Sequence, residues 1–320
     1  MALRKRKVKS KAKSQYAKGN SIKILLAIIA LVSFILAFSF DSLNKLIVGI
    51  QPIANERCLQ EFYKEVPPYL NKLSLSQQSY PLCFDGFNLM YSELSKTALW
   101  IAEVLTPHRL SLTTSDQSLA LNSNRNMRHF IKPTNDGFYL WQLAPMGQNS
   151  NLSEDAYSSA AGTQIPFVSK AKLALFEQIE ESIRAIVREH NVSVYMITGP
   201  AFLDRTLKIT QDGIMVPTAI YKVIYIPKTG AIGAYYVPND LSSSPRLVSI
   251  CYLEERLGIN LFPQLTEDEK RNTYKLPWKK MDIQADQPLE YLYWDAQSQC
   301  EEDISESKIE TLQKQFKFMS

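Results

Sequence analysis

Histidine is scarce in this 320-residue chain: His108, His129 and His190 stand far apart, and no C-x-x-C occurs. Zinc sites draw on clustered His and Cys, so this composition argues against one. A glycine-rich phosphate loop, G-x-S-x-G and H-E-x-x-H are also missing. Their absence removes the sequence support for P-loop, α/β-hydrolase or zincin chemistry. No internal repeat is present. An excess of one charge is lacking too: the net charge is +4, and residues 41–281 hold 24 basic against 23 acidic side chains. A near-neutral body gives no broad electrostatic grip on nucleic acid, although a local basic groove remains compatible with it.

What charge there is lies at the ends. Nine Lys or Arg and no acid fall within residues 1–40, and nine acids against three bases fall within 282–320. The basic segment 1–23 precedes "ILLAIIALVSFILAFSF", an uncharged run over 24–40. About 17–25 apolar residues cross a bilayer as a helix, so the run suffices for a single membrane anchor. The basic flank predicts a cytoplasmic N-terminus, with residue 41 onward across the membrane. A bacterial inner-membrane protein with a periplasmic C-terminal domain is therefore expected. A cleaved signal peptide is the alternative, since "AFS" has small residues suited to cleavage. The four cysteines lie beyond this run, and an even number in an oxidising compartment predicts disulfides. Cys58–Cys83 is the favoured pair, closing a modest loop; the pairing of Cys251 and Cys300 stays open.

Residues 41–55 read as a linker, 56–277 as one domain and 278–320 as an acidic tail with a poorly packed terminal helix over 301–318. The stretch 82–92 reads as a strand, 97–106 as another, and the polar text of 111–137 as a loop. "KAKLALFEQIEESIRAIVREH" over 170–190 is a helix with Phe176, Ile179, Ile183 and Ile186 as its apolar stripe. Strands follow at 192–200, 217–227 and 231–240, then a helix over 246–257. Hairpins with inserted helices predict an α+β fold with a central antiparallel sheet.

Several segments, in this order, resemble the DNA/RNA non-specific endonuclease family, the ββα-metal nucleases. "LCFDGFNLMYSELSKTALWIAEVLTPHRL", "MITGPAF", "VPTAIYKVIY", "YYVPN" and "SICYLEERLGINLFPQL" carry the likeness across about 56–265. The resemblance implies a ββα-metal fold, phosphodiester hydrolysis of DNA or RNA, and a Mg²⁺ ion. The family places D-R-G-H before an "AP" dipeptide; here Tyr139, Leu140, Trp141 and Gln142 precede "LAP" at 143–145. Gln142 therefore stands at the general-base position, and an amide cannot take the proton of an attacking water. Leu140 replaces the arginine, and Lys172 falls at the asparagine that holds the metal. An ammonium offers no oxygen to a hard cation.

Arg128, Glu180 and Arg184 are the retained family positions. Glu180 and Arg184 are i, i+4 neighbours and are expected as an exposed ion pair. Lys172 is expected beside Glu180, supplying positive charge in place of the ion. Tyr139 and Trp141 are expected to fill the cavity rather than stack on bases, and His129 to be structural rather than a substitute base. With base, phosphate clamp and metal ligand all replaced, the expectation is an inactive relative with a binding or regulatory role and no cofactor. An active nuclease with a rearranged, Mg²⁺-dependent site is the alternative. Expected partners are the membrane through 24–40, weakly bound nucleic acid, and a second copy or another protein.

Overall fold

Nine consecutive buried residues form the strand Thr97–Leu105, and eight form Ala219–Ile226. Uninterrupted runs of this kind belong to strands covered on both faces. The computed structural model describes residues 56–84, 86–115, 132–143, 162–285 and 287–317. In chain order the strands are β1 Tyr69–Leu70, β2 Ser79–Phe84, β3 Phe87–Ser92, β4 Thr97–Leu105, β5 Lys132–Pro133, β6 Tyr139–Gln142 and β7 Gln164–Phe167. They continue as β8 Val194–Ala201, β9 Ala219–Ile226, β10 Ala231–Pro238, β11 Arg246–Val248, β12 Ile259–Asn260, β13 Asn272–Tyr274 and β14 Tyr291–Trp294. The helices used below are α1 Pro107–Ser115, α2 Lys170–His190, α3 Ile250–Leu257, α4 Glu267–Arg271 and α5 Glu306–Lys317.

Seven strands pair antiparallel in the order β11-β10-β9-β8-β4-β3-β2, and β5-β6-β7 form a smaller antiparallel sheet. The expected α+β class with a large antiparallel sheet stands. Side chains alternate across a strand, so the large sheet has two apolar faces. Ile101, Met196, Ile224 and Tyr235 meet α2 on the first, through the predicted stripe of Phe176, Ile179, Ile183 and Ile186. Trp100, Tyr221, Val223 and Tyr236 lie on the second with Leu253 and Leu257 of α3, Phe62 and Phe316. Helix α2 starts where the Ser169 hydroxyl accepts from the Lys172 amide, and ends at Asn191 in a left-handed conformation.

Four readings change. The stretch 82–92 is two strands, not one, because a hairpin turn carrying Gly86 at φ +91° reverses the chain. The stretch 246–257 is an edge strand, β11, then α3, because the Ser249 hydroxyl accepts the Tyr252 amide and starts the helix there. The expected loop 111–137 begins inside α1 and ends with β5; residues 116–131 lie outside the described residues. Residues 278–285 and 287–317 pack with the rest of the described domain. There β14 pairs with β13, Cys300 is bonded to Cys251, and α5 buries Leu312 and Phe316, so the terminal helix is packed. The favoured Cys58–Cys83 bond is present as well. Among the described residues no helix is long and apolar enough to cross a membrane, and the 24–40 run lies outside them.

Candidate functional site

The family positions read from the sequence gather where β6 and β7 meet α2. Alternation along β6 buries Leu140 and Gln142 and leaves Tyr139 and Trp141 half-buried. Gln142 sits opposite Gln164 in the ladder, and its amide Nε2 donates to the Thr163 hydroxyl at 3.4 Å. Trp141 meets Phe167 and Phe176 edge-on, with ring centroids 5.8 and 5.4 Å apart, so it fills space between the small sheet and α2. Lys170 places its ammonium 5.5 Å from the Tyr139 ring centroid. Arg128 and His129, with Ala144 and Pro145 of the "LAP" text, lie outside the described residues.

Two expectations about charge are overturned. Lys172 does not reach Glu180; it donates to the Ser243 carbonyl and acts on Asp240, whose carboxyl is lowered first by its hydrogen bond from the Ser243 side chain. Lys172 lies in the first turn of α2, and its side chain takes the carbonyl of the loop after β10. Glu180 and Arg184 do not form an exposed pair either. Arg184 bonds Glu181 at 3.1 Å, while Glu180 is buried against the sheet with Lys222 at 2.8 Å. The i, i+4 relation holds along the helix, but only Glu180 faces the sheet.

Lys222 on β9 is fully buried and lies 3.7 Å from Glu103 on β4, which is buried too. One ammonium therefore serves two acidic side chains between α2 and the sheet. Loss of hydration pushes the Glu103 carboxyl up to about 8; the Lys222 charge opposes this and the Glu180 charge adds to it. The sequence reading missed this cluster, although its signal was present. Glu103 is the lone acid in "TALWIAEVL" and Lys222 the lone base in "AIYKVIYI". A single charge inside a buried apolar strand needs a partner.

Other motif residues hold the frame. Asn239, from "YYVPN", donates to the carbonyls of Pro166 and Pro217 at 2.9 and 3.0 Å and accepts from the Val168 amide at 3.0 Å. It thereby ties β7 to the segments around β9 and β10. Glu254, from "CYLEERLG", is buried, 3.1 Å from Lys270, and accepts from the Leu261 and Glu301 amides.

Among the described residues of the candidate site, the family's metal-ligand position holds Lys172 and offers no oxygen to a hard divalent cation. Lys172 brings a positive charge, Glu180 is already engaged by Lys222, and no group of three His, Cys, Asp or Glu suited to a metal occurs among the described residues. His108 opens α1 and His190 closes α2, both away from β6 in sequence.

The family model described as DNA/RNA non-specific endonuclease matches residues 146–268. The chain is 25% identical to human mitochondrial endonuclease G over 186 residues, which cover 51% of this chain and 59% of that protein. It is 25% identical to the mitochondrial nuclease EXOG of Danio rerio over 211 residues, covering 57% of this chain and 60% of that one. The chain thus spans less than two thirds of the length of these curated relatives. A solved structure of the EndoG/EndoGI complex, which concerns the mechanism of EndoG inhibition, aligns at 16% identity and a TM-score of 0.44, over 69% of this chain and 96% of its own.

Proposed function

We propose that this chain, which matches the DNA/RNA non-specific endonuclease model over residues 146–268 and is 25% identical to curated nucleases, is a membrane-anchored nuclease-like protein of that family without hydrolytic activity, serving a binding or regulatory role. Gln142 carries this reading: the position from which the family draws its general base holds an amide, donating to Thr163. Leu140 and Lys172 agree with it: a leucine cannot steady a phosphate, and an ammonium offers Mg²⁺ no oxygen. Full-length protein incubated with supercoiled plasmid and Mg²⁺ should leave the plasmid intact. Mg²⁺-dependent nicking that survives further purification, and is lost on chelation, would return the active-enzyme alternative to first place.

The anchor belongs to the same proposal. Basic residues before Ile24 and the apolar run 24–40 support a cytoplasmic N-terminus with the domain outside. Both disulfides accord with an oxidising compartment. Alkaline phosphatase fused after Ser320 should be active in a bacterial host. Activity only from a cytoplasmic reporter in that position would overturn the topology.

A further inference from the structure

On the second face of the large sheet, away from β6 and α2, two arginines are laid on one tyrosine ring. Arg246 of β11 stands opposite Tyr236 of β10 in the ladder, with its guanidinium 5.0 Å from the Tyr236 ring centroid and 5.1 Å from that of Tyr252. It also donates to the Tyr252 hydroxyl. Arg256, one helical turn after Tyr252 on α3, stacks 3.5 Å from the same ring and donates to the Tyr252 carbonyl at 3.0 Å. The two rings meet edge-on, 5.8 Å apart. Arg246 is exposed, and no carboxylate lies within ion-pair distance of it among the described residues. Arg256 meets its exposed neighbour Glu255 at 3.2 Å.

We propose that Arg246 and Arg256, fixed on Tyr252, form a docking surface for the phosphate backbone of nucleic acid, separate from the family's catalytic position. Stacking settles each guanidinium plane in advance, so less side-chain freedom is lost when its N–H edge meets a phosphate. Such a fork pairs with phosphate oxygens bidentately, through charge-assisted bonds. Two forks on one ring suit neighbouring phosphates of one strand, and contacts of this kind carry no sequence preference. The remaining body is near neutral, so this local pair supplies what overall charge does not. The choice of nucleic acid rests on the family reading above, but not on whether hydrolysis occurs.

The test is fluorescence anisotropy of a labelled thymidine oligonucleotide with the full chain in neutral detergent, across about 50–200 mM salt. Wild-type binding should weaken with salt. Arg246→Ala with Arg256→Ala should raise Kd at least about tenfold at the lowest salt, and lower the log–log salt slope by about 1.4, or 0.7 for each phosphate contact on a single strand. Glu255→Gln, which releases Arg256, should tighten binding severalfold, and keeps the proposal testable even if the double variant folds poorly. Lys279→Ala with Lys280→Ala removes equal charge elsewhere and should leave Kd within about twofold. The proposal is overturned if wild type does not bind, if the arginine variant binds like wild type, or if the lysine control loses as much. It is overturned too if Glu255→Gln has no effect, or if the pair governs binding to anionic vesicles and not to the oligonucleotide. Absence of nicking in the plasmid assay leaves this result untouched, and nicking without an arginine effect sinks this proposal alone.

Discussion

Lys222→Met should destabilise the folded protein by about 3–5 kcal/mol, the cost typical of breaking a buried ion pair on one side. The ammonium lies 2.8 Å from Glu180 and 3.7 Å from Glu103, all three groups buried. Methionine has similar length but no charge, so the buried Glu180 carboxylate would be left without a counter-charge beside the Glu103 carboxyl. Urea unfolding at neutral pH reads the loss. Restoring neutrality with Glu180→Gln and Glu103→Gln in the same chain should recover part of it, since an apolar or neutral cluster avoids the desolvation cost. A loss below about 1 kcal/mol for Lys222→Met alone would show that the cluster is not held by charge.

The same cluster sets a pH dependence whose sign follows from Glu103. Its folded carboxyl is raised to about 8 from the 4.5 of a free glutamate, chiefly by burial. Between those values the folded state holds a proton that the unfolded state has released. Stability is therefore full below the unfolded value and falls as pH rises toward about 8. Glu103→Gln should flatten that slope in the same urea series, and an unchanged slope would assign it to other groups.

Phe316→Ala should cost about 3–5 kcal/mol, as expected for truncating a buried phenylalanine. Phe316 is almost fully buried, with ring centroids 5.0 Å from Phe62 and 6.0 Å from Trp100. Its removal opens a cavity under a helix that otherwise buries only Leu312 deeply. The Cys251–Cys300 bond holds the chain just before α5 and limits how far the helix can follow into the gap. A loss under about 1 kcal/mol, measured by urea unfolding with the disulfides intact, would mean that α5 lies loosely on the sheet after all.

The sequence by itself determined the long helix and the strands β4, β8, β9 and β10. Their apolar period, or their unbroken apolar runs, leaves one way to bury them, and Ser169 and Asn191 mark the ends of α2 locally. It also fixed the residue types at 139–142 and 172, and residue type alone decides what can accept a proton or bind a cation. Which charge meets which was decided only by the tertiary structure. Glu180, Glu181 and Arg184 share one helix, yet Glu180 turns inward because Lys222, fully buried on a strand 42 positions away, needs a counter-charge more than half-buried Arg184 does. Lys172 is drawn to Ser243 and Asp240 because the loop after β10 closes over the start of α2. Spacing along the chain fixes neighbours within one element. The partner across elements follows from desolvation, which makes an unpaired buried charge far costlier than a lost surface contact.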